Sequence, residues 1–388
     1  DPKYPGDLTR SEVTYQRLSL IENFKKCIFY SKLAWNGLFA EQFNRSAYSL
    51  VGWQIYKSEK LIPLYKSVNL KAVTHIHEPG LEFINLAALQ IDAVRFGTHW
   101  SCFSAPNSST SKCHEIYFVW GIHDLKIVLD SGSTSKNILV SGCIMTEQSH
   151  ENEFRKGSEA LQSMKNSGAQ YTLTLLDNSL PLPNFYRFFL QWLVDDTNLG
   201  LLIKSKGKSW DPVERDGLEG LVEQAKKTGR LYEMDRAASP LDAALLTDFS
   251  VGITSLSAIA SAALKGARVL YLDFEKLDQK NLESYSTFHS LGPKRCVFYD
   301  FESLKDSILE YNTNSNSNPH LGDASPILDR LDPFRDGKAS QRIGEYITWY
   351  LEGLEENLEK NTALRRATDK YAKKWGKDKV SCGMGENS

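Results

Sequence analysis

The chain has 388 residues, 41% of them hydrophobic and 24% charged, with a formal net charge of −2. That size and balance describe two globular domains and argue against bulk attraction to nucleic acid. Six cysteines are scattered without a C-x-x-C pair, which argues against a zinc site or a disulfide scaffold, and no apolar run reaches the roughly 18 residues of a membrane span.

Residues 10–66 read as helical and rich in aromatics. Phe29, Tyr30, Trp35, Phe39 and Phe43 fit a core face, or alternatively a face for a membrane surface or a partner. Strand and helix patterns then alternate. Strands are expected at 71–78, 93–100, 114–121 and 136–142, with helices at 79–90 and 122–132 and a Ser/Asn-rich loop at 104–112. The polar stretch 147–168 reads as a link between domains. Beyond it the alternation restarts. Strands are expected at 170–179, 200–207, 230–235, 249–253, 268–273 and 294–300, and helices at 184–197, 217–229, 239–247 and 257–264. Residues 311–325, rich in Asn and Ser, read as a mobile loop. In 332–376 the residues Ile343, Ile347, Leu351, Leu354 and Leu358 recur at helical spacing and mark an apolar face. Trp192, Trp349 and Trp375 read as core, and the tail 377–388 as disordered.

Strands joined by helices of about ten residues form βαβ units and a parallel sheet. The expected fold is α/β, with two Rossmann-like parallel-sheet domains, a cleft between them and a long C-terminal helix. The N-terminal domain covers 1–150, including a helical extension, and the C-terminal domain 165–335; the helices of 336–376 pack back across both. Because the chain starts at Asp1 rather than Met, further domains of a longer chain are expected.

Ligands of open parallel sheets bind beyond the carboxyl ends of the strands, so polar residues there are the candidates. Thr254, Ser255 and Ser257 stand between an expected strand and a helix of small residues. The N-terminus of that helix, with its unsatisfied N–H groups, suits a phosphate or carboxylate; simple capping by the serines is the alternative. Asp177, Asn178 and Ser179 close one strand, Lys204 and Lys206 the next, and Asp235 and Arg236 the one after. The lysines offer charge to a diphosphate or a sugar acid. In the first half, His75, His77 and Glu78 end one strand and His99 another, and these residue types suit a general base, a nucleophile or an orienting partner. His77, Glu78 and His99 do not complete a metal ligand set, and no metal or cofactor is expected. There is no G-x-G-x-x-G after a strand, no P-loop and no G-x-S-x-G elbow, which argues against dehydrogenase, kinase and serine-hydrolase readings.

Taken together, these segments resemble GT-B-fold glycosyltransferases of bacterial surface-carbohydrate biosynthesis. "FVWGIHDLKIVLDSGSTSKNILVSG" (118–142) resembles the end of their N-terminal domain, and "LLTDFSVGITSLSAIASAALKGARVLYLD" (245–273) their donor-site signature. "THW" (98–100) stands where related transferases carry a Q-H-G turn, and 336–376 is similar to the family's tail. One departure is that Ser261 or Ala262 stands where the family's ribose-gripping Glu is usual. The resemblance implies a metal-independent glycosyltransferase of surface polysaccharide or lipopolysaccharide assembly. Its donor would be a CMP-linked ulosonic acid such as Kdo, or a UDP-sugar, and its acceptor a glycan or glycolipid. It further implies a cytoplasmic protein, peripheral at the inner face of the membrane. In this scheme Asp177, Asn178, Ser179, Lys204, Lys206, Thr254, Ser255 and Ser257 hold the donor, while His99, His77 or Glu78 acts in catalysis. Two alternatives stand beside it: a UDP-GlcNAc 2-epimerase-like enzyme, which shares the fold and would use the Glu78 and Asp177 carboxylates, and a non-catalytic scaffolding half of a larger protein.

Overall fold

The structure, a computed structural model, describes residues 25, 27–32, 42–76, 81–147, 151–177, 183–206, 217–235, 237–253, 257–274 and 285–382. The chain divides into two compact units, residues 1–99 with 113–117, and residues 100–112 with 118–388.

The first unit opens with helix α1 (Gln42–Ser67), followed by β1 (Ala72–Ile76), α2 (Glu82–Gln90) and β2 (Val94–Thr98). β1 and β2 run parallel with Ala72 opposite Val94. The first half of β3 (Ile116–Val119) joins them in parallel, Phe96 facing Ile116. Gln54 on α1 accepts a hydrogen bond from the Phe83 amide at 2.9 Å, tying the two helices together. Gly97 has a steric reason to be glycine: a Cβ there would stand 2.6–2.7 Å from the Tyr117 and His114 rings. The aromatic N-terminal residues do not all serve a core. Phe29 is exposed, as are Trp53 and Tyr56 on α1, while Trp35 and Phe39 and the side chain of Phe43 lie outside the described residues.

In the second unit, α3 (Ile122–Asp130) and β4 (Asn137–Val140) follow β3. The stretch expected to link two domains is instead helix α4 (Glu151–Asn166). Its buried stripe is narrow, essentially Gly157 and Met164, so its composition reads as a linker; a Cβ on Gly157 would strike Leu246 at 2.3 Å. Next come β5 (Tyr171–Leu176), α5 (Pro183–Asp195), β6 (Leu199–Lys204), α6 (Glu219–Lys227), β7 (Leu231–Glu233), α7 (Pro240–Leu246), β8 (Phe249–Ile253), α8 (Ser257–Leu264), β9 (Val269–Leu272) and β10 (Val297–Phe298). β5, β6 and β8 are buried along their whole length, the pattern of strands covered on both faces. Their sheet has the order β10-β9-β8-β5-β6-β7, with every neighbouring pair parallel. β5, the first strand in sequence, lies in the middle. Asp248 fixes its register against β8 by accepting from the Thr172 amide (2.8 Å) and hydroxyl (2.9 Å). Phe185, Tyr186, Phe189 and Trp192 of α5 pack into the core on this sheet. Ser239 caps α7 through the Leu241 amide, with Pro240 in the first turn.

The last third departs furthest from expectation. Helix α9 (Phe301–Thr313) was not foreseen, although Asp300 caps it through the Ser303 amide. The loop after it is packed rather than loose: Leu321 is fully buried, and the Val269 amide donates to the Gly322 carbonyl at 2.9 Å. The long C-terminal helix is two helices, α10 (Ala339–Glu355) and α11 (Lys360–Trp375). The face that α10 buries is Ala339, Arg342, Tyr346, Tyr350 and Gly353, while Leu351 is exposed and Ile343 and Ile347 are half-buried. Large aromatic side chains with polar tips fill that interface instead. The Tyr346 ring meets Phe118 and Tyr371 edge-on, and its hydroxyl pairs with Thr368 at 2.9 Å. Part of the tail expected to be disordered is ordered: Val380–Cys382 form β11, antiparallel to β4 at the edge of the sheet β1-β2-β3-β4-β11. Residues 383–388 lie outside the described residues.

The α10–α11 packing gives a paired prediction. A Cβ on Gly353 would stand 2.9 Å from the Ala363 Cβ, whereas one on Gly344 meets nothing within 4 Å. Gly353→Leu should cost about 1–3 kcal/mol by overpacking. Gly344→Ala should gain about 0.5–1 kcal/mol through helix propensity. Thermal melts of both variants check this, and equal effects would contradict the packing described.

Candidate functional site

Strand order locates the natural ligand edge of the second sheet. Chain connections run outward in opposite directions from β5 and β8, so the crevice beyond their carboxyl ends is a topological switch point. Asp177 follows β5 directly, and Ser257 opens α8 after β8. Asp177 is buried, accepts from the Lys206 amide at 2.7 Å through Oδ1, and accepts from the Tyr186 hydroxyl through Oδ2. The ends of β5 and β6 are thereby joined. Lys206 is exposed and lies over the Trp100 ring, 4.8 Å from its centre, a cation–π contact that holds the ammonium at the edge of the site. Lys204 is buried and donates to the Ser205 carbonyl at 2.8 Å, so its charge is already engaged within the protein. Ser257 Oγ lies 2.6 Å from Ser101 Oγ.

The structure therefore brings Asp177 to Lys206, and Ser257 to Ser101, at one edge of the second sheet. Asn178, Ser179, Thr254 and Ser255 lie outside the described residues, as do His77 and Glu78 of the first unit. His99 belongs to the first unit, is 1% exposed and stacks on Tyr117 with ring centres 6.2 Å apart. His75, in the same unit, is hydrogen-bonded to Asn85 Oδ1 at 3.0 Å, and the Asn85 amide reaches His114 at 3.2 Å. His75 is thus a satisfied structural histidine.

Sequence reasoning missed a buried polar group at the start of α3. Asp124 is fully buried and accepts from the Phe103 amide at 2.9 Å, with the Cys102 thiol 3.8 Å away. Cys102, His123 and Asp124 hold their polar atoms within 4.8 Å of one another, the spacing of a metal set. Both His123 nitrogens are already engaged, Nε2 with the Phe103 carbonyl at 2.9 Å and Nδ1 with the Thr287 hydroxyl at 3.0 Å. Burial pushes the Cys102 thiol well above its ordinary value. These donors do not fit a metal as they stand. Cys102 and His123 line a solvent-open pocket of about 380 Å³, completed by Ala260, Tyr271, Ser286 and Phe288. The adjacent pair His123-Asp124 after Gly121 was the available sequence signal.

No family model matches this chain, and no curated protein matches it by sequence. Solved structures do match in three dimensions. A Staphylococcus aureus MnaA–UDP co-structure is 12% identical with a TM-score of 0.52, covering 78% of this chain and 82% of that one. A putative UDP-N-acetylglucosamine 2-epimerase from Listeria monocytogenes is 11% identical, TM-score 0.50, over 80% and 81%. The fold is of the GT-B type. Another UDP-N-acetylglucosamine 2-epimerase, 12% identical, matches with TM-score 0.50 over 78% of each chain. Identities this low show the shared fold and nothing finer.

Burial pushes the Asp124 carboxyl up to about 7, against the Phe103 amide and the Cys102 thiol, which hold it down. The unfolded chain's carboxyl loses its proton near pH 4, while the folded one keeps it to about pH 7. Between those values the folded state binds the extra proton, so stability falls as pH rises, by at most about 1.4 kcal/mol per pH unit. Asp124→Asn should remove that slope. In melts from about pH 4 to about pH 8, the variant's gain over wild type should grow from the acid end up to about pH 7 and level off above it. A variant that keeps the wild-type slope would show that another group carries it.

Proposed function

We propose that this chain is a glycosyltransferase that binds a nucleotide-activated sugar at the β5/β8 switch point and passes the sugar to a glycan or glycolipid acceptor. The observation that carries this reading is the strand order. Asp177 follows β5, and Ser257 opens the helix after β8, the two strands that flank the switch. The N-terminus of α8, opened by Ser257, offers partial positive charge to a diphosphate. Lys206, exposed at the end of β6, offsets the charge of the leaving nucleotide, the main electrostatic need of such a transfer. Asp177 organises the Lys206 backbone. The donor is a UDP-sugar or a CMP-linked ulosonic acid; the UDP held by the S. aureus relative favours the first.

A 2-epimerase is the second reading, favoured by the two solved UDP-N-acetylglucosamine 2-epimerase structures with matching folds. Incubation with UDP-GlcNAc and no acceptor separates the two. An epimerised sugar nucleotide would establish the epimerase, whereas turnover that waits for an acceptor supports the transferase.

Binding is checked first by thermal shift with UDP, CMP, GDP and CDP. One nucleotide at a hundred times its Kd should stabilise the fold by about 2.7 kcal/mol. Lys206→Ala removes a charged contact worth about 1.5–3 kcal/mol, so it should weaken that nucleotide at least about tenfold and leave the unliganded melt in place. The absence of a shift with all four nucleotides, or an undiminished shift in Lys206→Ala, contradicts the proposal.

A further inference from the structure

The second unit holds another group of reactive side chains, at the carboxyl end of β9 and beside the end of β8. Asp273 follows β9 directly and is 1% exposed. His289, also buried, opens the turn His289–Leu291 and places Nε2 at 3.8 Å from Asp273 Oδ2. Its other ring nitrogen, Nδ1, lies 2.5 Å from Ser286 Oγ. Ser286 is half-buried and lines the same solvent-open pocket, together with Phe103, Tyr271 and Phe288.

The chemistry follows from the order of these groups. When the Ser286 hydroxyl donates to Nδ1, the ring proton sits on Nε2, the side that faces Asp273. A desolvated carboxylate on that side holds this tautomer and stabilises the imidazolium that forms if the serine proton is taken. At 3.8 Å the His289–Asp273 contact is longer than a hydrogen bond. Sets of nucleophile, base and orienting carboxylate are often this loose before substrate binds. A serine that only capped a local turn would need neither the buried carboxylate behind the imidazole nor a pocket in front of its oxygen.

We propose that Ser286, His289 and Asp273 form a nucleophilic relay that opens into this pocket and cleaves a small carboxylic ester. Ser286 Oγ attacks the acyl carbon while its proton passes to His289 Nδ1. The tetrahedral adduct expels the alcohol, which takes that proton, and leaves an acyl-serine. Water then attacks the acyl group, gives its proton to His289, and releases the carboxylic acid as the proton returns to Ser286. The pocket suits a short acyl group: Tyr271 and Phe288 stack at 6.4 Å on its wall and offer an apolar surface. No nucleotide takes part, so this activity is independent of the function proposed above.

The test is covalent labelling of the full chain with a fluorophosphonate, read by intact mass and peptide mapping, with p-nitrophenyl acetate hydrolysis alongside. Wild type should take up one adduct, on Ser286, and hydrolyse the ester. Ser286→Ala should lose both signals. His289→Gln should slow labelling at least about 100-fold. Ser290→Ala, an exposed neighbour whose hydroxyl donates to the Thr287 carbonyl, should label as wild type does. A thermal melt confirms that each variant is folded. An unlabelled folded wild type, an adduct mapped elsewhere, or a folded Ser286→Ala that still labels would each overturn the proposal.

Discussion

A buried cation organises the second unit. Arg342 on α10 is 1% exposed, and taking its guanidinium out of water costs several kcal/mol unless partners offset it. Four groups meet it, leaving Nε without a hydrogen bond. The Ser141 carbonyl, just past β4, accepts from Nη1 at 3.2 Å, and Asp336 accepts from Nη2 at 2.5 Å. The rings of Phe334 and Trp375 lie 3.6 Å and 4.6 Å from the guanidinium carbon and cover it on the apolar side. Beside it, buried Asp332 accepts from the Cys143, Phe334 and Arg335 amides. Arg342 and Asp332 therefore bind the end of β4 to a segment nearly 200 residues later in sequence, and α10 and α11 are positioned as a consequence.

The second sheet shows how little side-chain chemistry a ligand edge requires. Six parallel strands, of which β5, β6 and β8 are buried along their whole length, leave their carboxyl ends as the place where backbone and polar groups meet solvent. Asp177 does two structural jobs there, through Tyr186 and the Lys206 amide. Lys204, equal to Lys206 in sequence reasoning, is turned inward to the Ser205 carbonyl. Two lysines two residues apart thus have different environments, because the strand ends between them.

The sheets were readable in the sequence because each strand is a short apolar run between turn residues, and each crossover a helix of about ten residues. The parallel order followed from that alternation. What misled was surface balance. α4 buries only a narrow stripe and so looked like a linker. α10 buries Arg342, Tyr346 and Tyr350, which a hydrophobicity count sets on the wrong face. At the candidate site, the residues at strand ends were legible, since strand ends are local. The pairings Ser101–Ser257 and Thr287–His123 were not, because their partners lie more than 150 residues apart. Asp273 was visible as the close of a strand, but its meaning depends on His289, in a stretch without periodic signal.

β11 carries a consequence for how this protein is made. Its three residues, Val380–Cys382, complete the edge of a sheet whose other strands end at Val140. On the ribosome, β4 emerges some 240 residues before its antiparallel neighbour. Through that interval its outer backbone groups stay open, a template for pairing with other chains. Closing so long a loop is also slow, since contacts distant in sequence form late. Synthesis therefore carries a vulnerable interval that lasts until Val380–Cys382 have emerged.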